Sequence, residues 1–187
     1  DNMVVRSMPN GDLIAIGNKV ANTCAIYQKT STDGGRTWGQ PRQIISSANG
    51  KRNEGGGFLE DGNRVYFIYY EYANFNASNM NASDCKIALI HTDDSGRTWS
   101  QPQVITQPGR NYTLTYTDGI VTSVADGNGP NVDYVITYGM QNNNDGGFAV
   151  SGLYSTDAGR TWTPSSSIVE LDATAFEGGV SETAIVE

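Results

Sequence analysis

Ser31-Thr32-Asp33-Gly34-Gly35-Arg36-Thr37-Trp38 returns twice along the chain. The second copy is Thr92-Asp93-Asp94-Ser95-Gly96-Arg97-Thr98-Trp99 and the third is Ser155-Thr156-Asp157-Ala158-Gly159-Arg160-Thr161-Trp162. Their Asp residues (Asp33, Asp94, Asp157) stand 61 and 63 positions apart. The flanks repeat as well: Gly39-Gln40-Pro41-Arg42-Gln43-Ile44-Ile45 matches Ser100-Gln101-Pro102-Gln103-Val104-Ile105. Cys24 and Cys85 each precede their Asp by nine residues, and Phe148 holds that place in the third copy. Such a period marks a chain built from equivalent supersecondary units. The repeated residues read as a hairpin turn. An Asp carboxylate accepts hydrogen bonds from N–H groups of its own tight turn. Gly35, Gly96 and Gly159 supply backbone freedom, and Thr-Trp opens the outgoing strand with an indole to bury against the neighbouring unit. The alternative reading makes these Asp residues catalytic or calcium-binding.

Composition agrees with strands and turns. The 187 residues amount to one domain or a piece of a larger one. With 37% hydrophobic, 10% aromatic and 17% charged residues, the chain is too aromatic and too weakly charged for disorder. Its abundance of Thr, Ser, Tyr, Val, Gly and Asn favours an all-β fold. No apolar run approaches the roughly 20 residues that a membrane helix needs. A net charge of −8 with scattered Lys and Arg argues against nucleic acid as partner. The two cysteines and the single His91 make no zinc site by themselves, and no metal or organic cofactor is expected. Sequons at Asn76, Asn81 and Asn111 point to N-glycosylation and a secreted, extracellular protein. In that compartment a Cys24–Cys85 disulfide is the expectation, and two buried thiols the alternative.

The repeat resembles the Asp-box, or BNR repeat, of sialidases and related β-propellers, and its copies span essentially the whole chain. The resemblance implies four-stranded antiparallel blades, with each box at the turn between third and fourth strands on the face away from the active site. The strands are expected at 3–8, 12–17, 24–31 and 41–45, then at 55–60, 64–71, 85–92 and 102–106. A third set falls at 119–124, 132–138, 148–155 and 166–171, with hairpin turns at Asn10-Gly11, Asp61-Gly62 and Asp126-Gly127. Blades then occupy about 1–46, 47–107 and 108–171, and a fourth starts within 172–187. Sialidase propellers have six blades, so this stretch reads as a half-propeller, completed by further chain or by a second copy.

Strand alternation places the candidate site at the end opposite the boxes, in segments 17–24, 46–55, 71–85, 107–118, 139–147 and 172–182. Asp1, Glu54, Asp118 and Glu182 enter innermost strands from that end. Facing carboxylates in a partly desolvated pocket split their pKa values into an acid and a base or nucleophile, as glycoside hydrolysis requires. Glu182, in Ser181-Glu182-Thr183-Ala184-Ile185-Val186, resembles the sialidase Glu that activates a tyrosine nucleophile. Glu54 and Asp118 are the candidate acid partners, while Arg52, Arg110 and Lys19 are the candidate substrate-binding cations. Two features depart from the sialidase pattern. Arg6 stands too close to Gly11 for the first triad arginine, and residues 13–32 contain no Asp or Glu. Asn53-Glu54-Gly55-Gly56-Gly57-Phe58 is also similar to a strand start of fungal exo-arabinanases. The sequence therefore implies a secreted exo-glycosidase acting on glycans. The alternatives are an exo-arabinanase-like hydrolase of a neutral plant polysaccharide, and a non-catalytic propeller that binds glycans or another protein.

Overall fold

The computed structural model describes residues 3–18, 25–47, 52–76, 81–105, 120–121, 134–141, 148–166 and 169–170. Among these the regular structure is strand throughout, paired antiparallel. The first sheet runs in the order β1 (Met3–Ser7), β2 (Leu13–Asn18), β3 (Ile26–Ser31) and β4 (Arg42–Ile45). The second follows with β5 (Arg52–Asp61), β6 (Arg64–Asn76), β7 (Asn81–Thr92) and β8 (Gln103–Val104). The third has β9 (Ile120–Val121), β10 (Tyr134–Gln141) and β11 (Phe148–Ser155), with β12 (Thr163–Pro164) and β13 (Val169–Glu170) both on the far side of β11. These last two pair with Leu153–Tyr154 and with Ala149–Val150, so a shift of register divides the expected fourth strand. By packing, the chain forms two compact units: Asp1–Phe75 with Ile87–Val104, and Asn76–Lys86 with Ile105–Glu187.

The strands lie where the repeat puts them, but the second sheet is longer than expected. β6 continues to Asn76 and β7 starts at Asn81, where a loop over 72–84 is the sequence expectation. The run Tyr66-Phe67-Ile68-Tyr69-Tyr70 carries enough β preference to extend the ladder through the Asn- and Ser-rich stretch beyond it. β5 likewise starts at Arg52, because Gly55-Gly56-Gly57 forms a bulge inside the strand: Gly55 pairs with Tyr69 and Gly57 with Ile68. At the lower end of this hairpin Asp61 pairs with Arg64, and Gly62 takes φ +58° in a two-residue turn.

In the first unit β1, β2 and β3 pack against β5. One face of the first sheet contributes Val4, Ile14, Ile16 and Ile26, and the facing sheet contributes Phe58, Val65, Phe67, Tyr69, Ala88 and Ile90. Alternation explains the selection, since every second residue along each strand enters this layer. Ile14, Ile16, Ile26, Val65 and Phe67 are wholly buried there.

Each box carboxylate is consumed by its own turn. Asp94 Oδ1 accepts from the Thr98 backbone N–H (2.8 Å) and the Thr92 hydroxyl (2.8 Å), while Oδ2 accepts from the Thr98 hydroxyl (2.6 Å). The Gly96 N–H donates to Thr92 Oγ1 at 2.9 Å. Asp33 has the same partners in Thr37 and Ser31, and Asp157 in Thr161 and Ser155. Two successive left-handed residues close each turn: Gly34-Gly35, Ser95-Gly96 and Ala158-Gly159. The box side chains therefore build the fold, as the turn reading expects.

Box two also locks the sheets of the first unit together. Gln28 Nε2 donates to the Gly96 carbonyl at 3.0 Å, and Arg42 reaches the carbonyls of Gly96 and Arg97. The Trp99 indole N–H donates to Gln28 Oε1 at 2.7 Å. A Cβ on Gly96 would stand 3.2 Å from Gln28 Nε2 and 3.4 Å from Ile14 Cγ2, whereas one on Gly34 would meet nothing within 4 Å.

Gly96→Ala combines a left-handed backbone with a blocked approach and is expected to cost about 2 kcal/mol or more in urea unfolding. Gly34→Ala should stay within about 1 kcal/mol of the parent, since the third box already carries Ala158 there. Equal losses would sink the idea that box two is a lock. The Thr37 and Thr98 donors hold the Asp33 and Asp94 carboxyls down at about 2, and the Thr161 donors lower Asp157 in the same way. Because the folded pKa lies below the unfolded value of about 3.9, this stabilisation is full above pH 4 and is lost as pH falls toward 2. Calorimetry should show the melting temperature falling through that window, less steeply in Asp94→Asn.

Candidate functional site

The strand ends remote from the boxes carry the candidate site. In the first unit they are the end of β2, the end of β4, the start of β5 and the far part of β6. Asn18 Nδ2 donates to the Asn53 carbonyl at 3.1 Å, and Asn53 Nδ2 donates to the Ser46 carbonyl at 3.4 Å. Both amides are thereby oriented, since only the NH₂ side can face a carbonyl. Their Oδ1 atoms are buried and take no donor among the described residues, and Asn53 is only 1% exposed.

Tyr69 and Glu71 stand beside this pair on β6, with Glu71 opposite Asn53 in the ladder. Burial pushes the Tyr69 phenol up to about 12, and the negative charge of Glu71 adds to the shift. Tyr69 is therefore a neutral phenol across the working pH range, stacked on Phe67 at 6.4 Å between ring centres.

Of the residues singled out from sequence, Arg52 and Glu54 come together on one strand. They lie in β5 opposite Tyr72 and Tyr70, two positions apart at the end where the site was expected. Glu182, Asp118, Arg110 and Lys19 lie outside the described residues, as do Asp1, Cys24 and Asn111. Cys85 falls within β7, and Asn76 and Asn81 are the last residue of β6 and the first of β7. Sequence reading missed Asn18, Asn53 and Glu71. A signal existed for Asn53, which immediately precedes Glu54, but none marked Asn18 before its strand was paired.

The opposite, box-bearing end of the same unit holds a cleft of about 530 Å³ lined by Val5, Arg6, Met8, Pro9, Glu60 and Gly62. Arg6 is engaged there with Glu60 at 2.7 Å, far from the candidate site, which agrees with its exclusion as a substrate arginine. Both partners are about 40% exposed, so the pair contributes little stability. Among the described residues no group of three or more His, Cys, Asp and Glu is placed to hold a metal ion.

Residues 153–164 match the BNR/Asp-box repeat family. A sialidase of Micromonospora viridifaciens is 28% identical over 179 residues, covering 82% of this chain and 27% of the sialidase. The chain thus spans about a quarter of that relative's length. Among solved structures, the Hadza microbial sialidase Hz136 superposes with a TM-score of 0.64 at 18% identity, over 87% of this chain and 36% of its own. A polysaccharide lyase of family PL25, an ulvan lyase, gives 0.58 at 13% identity over 87% and 42%. The chain carries an Asp-box repeat, and its antiparallel sheets have the all-β fold seen in sialidase propellers.

The Tyr69 environment yields a direct expectation. In a spectrophotometric titration of this chain, which has 10 tyrosines, Tyr69→Phe should leave the absorbance change between pH 9 and 11 unaltered and remove a step near 12. Loss of amplitude near pH 10 would show the phenol to be solvated.

Proposed function

We propose that this chain forms part of the substrate end of a secreted exo-glycosidase of the sialidase-like kind, removing a terminal sugar from glycans. The sequence likeness to the Micromonospora viridifaciens sialidase carries this reading, because 28% identity over 179 residues extends well beyond the boxes. Fold alone does not decide the chemistry, since the ulvan lyase shares it. In this proposal Glu182 is the base or nucleophile-activating carboxylate, Glu54 and Asp118 are acid partners, and Arg52, Arg110 and Lys19 contact substrate. The departures from the sialidase pattern at Arg6 and over residues 13–32, with the likeness of Asn53-Glu54-Gly55-Gly56-Gly57-Phe58 to exo-arabinanases, favour a second reading, in which the sugar is neutral.

Turnover of a panel of terminal sialosides and arabinosides tests the proposal. Glu182→Gln and Glu54→Gln are each expected to lower kcat/KM by about 10²-fold or more while leaving the melting temperature in place. Release of arabinose without sialic acid selects the neutral-sugar reading, and an unsaturated product identifies a lyase. Binding without turnover, unaffected by either substitution, makes the chain a recognition module. Secretion and glycans on Asn76, Asn81 and Asn111 belong to the same proposal. They require a native mass that falls after treatment with an N-glycosidase.

A further inference from the structure

Asn10-Gly11 closes the first hairpin and is the only Asn-Gly pair among the described residues. Asn10 is exposed, and both ends of its side-chain amide are held by Asp12. The Asp12 backbone N–H donates to Asn10 Oδ1 at 3.1 Å, and Asn10 Nδ2 donates to Asp12 Oδ2 at 2.7 Å. The same turn anchors Met8, which is buried in the apolar layer between the sheets. The Met8 N–H donates to the Asp12 carbonyl at 2.7 Å, and the Gly11 N–H donates to the Met8 carbonyl at 2.9 Å. The repeat sets this pairing in relief. The corresponding turns read Asp61-Gly62-Asn63 and Asp126-Gly127-Asn128, against Asn10-Gly11-Asp12 here. Each copy flanks its turn glycine with one amide and one carboxylate, and the first copy has them exchanged. Only there does the amide stand directly before the turn glycine.

We propose that Asn10 is a site of spontaneous deamidation, and that the reaction converts its clamp on Asp12 into a repulsion that loosens the first hairpin. An amide followed by glycine is open to attack, because no Cβ shields the next backbone nitrogen. Gly11 N passes its proton to a solvent base and bonds to Asn10 Cγ. The charge that develops on Oδ1 faces the Asp12 N–H, the kind of fixed donor that favours acyl transfer. The Cγ–Nδ2 bond then breaks, and Nδ2 takes a proton from water and leaves as ammonia. Water opens the resulting cyclic imide. Cleavage of the new N–Cγ bond leaves aspartate. Cleavage of the bond from Gly11 N to the Asn10 carbonyl carbon leaves isoaspartate, with one more carbon in the main chain. The hydrogen bond from Gly11 to Met8 must open before the attack, so the rate follows local opening of the turn. In the aspartate product an oxygen replaces the donor that stood 2.7 Å from Asp12 Oδ2, and two carboxylates face each other. Isoaspartate lengthens a turn whose closing pair, Ser7 opposite Leu13, seats Met8.

Peptide mapping by mass spectrometry after incubation at mildly alkaline pH follows the reaction in the folded chain, with the chain in urea as reference. Mapping separates Asn10 from Asn49 and Asn128, which also precede glycine. Asn10 should convert to aspartate and isoaspartate in the folded protein, while Asn18 and Asn53, which precede Lys19 and Glu54, keep their amides. An Asn10 that stays an amide when folded, while the urea reference converts, overturns the proposal. Asn10→Asp isolates the consequence and should lower the melting temperature at pH 7 by about 2 °C or more. Adding Asp12→Asn writes the order of the other two copies into the first turn and should restore it. An unchanged melting temperature in the single variant, or no recovery in the double one, shows that no repulsion arises and overturns the loosening.

Discussion

Everything in the first unit depends on a carboxylate that has no freedom left. Asp94 is held by two donors of Thr98 and one of Thr92, which fixes the path of the five residues from Asp94 to Thr98. That path requires two left-handed residues, Ser95 and Gly96, and turns the Gly96 and Arg97 carbonyls outward. Only a turn of constant shape presents carbonyls at a constant place. Gln28 and Arg42 can then be written into a neighbouring sheet to receive them.

The joint between the two sheets combines nonspecific and specific parts. The apolar layer from Ile14 to Ile90 supplies burial, which is roughly proportional to area and indifferent to small sliding. The polar contacts of Gln28, Arg42 and Trp99 contribute modestly net of water, but they are expensive to leave unmade. They select one alignment of the layer. The smallness of Gly96 belongs to the same device, since the box must come close for its carbonyls to reach Gln28.

The repeated boxes made the architecture legible, because eight residues recurring with their flanks fix strand order, turn position and the face that carries each turn. Two local misreadings have physical causes. The strand expected from Gly55 begins at Arg52 because Gly55-Gly56-Gly57 sits within the ladder as a bulge, and the Asn-rich stretch after Tyr72 is drawn into strand by the aromatic run before it. The candidate site was legible only as an end of the fold and as Glu54 and Arg52. Asn18, Asn53 and Glu71 were hidden because their meaning lies in pairing across 35 residues or in ladder register, and neither has a local signature. Gln28 and Arg42 were hidden for the same reason, with partners 68 and 54 residues away.

The bulge in β5 does more than bend the strand. An unbroken ladder continuing from Gly57 opposite Ile68 would set Gly56 against Tyr69, Gly55 against Tyr70 and Glu54 against Glu71. The extra residue shifts the upper part by one step, so that Glu54 faces Tyr70 and Asn53 faces Glu71. Like charges directly opposite one another on neighbouring strands repel. A three-glycine segment thus keeps two acidic positions out of direct opposition, and allows a negatively charged strand end to coexist with a ladder that stays paired to its first residue.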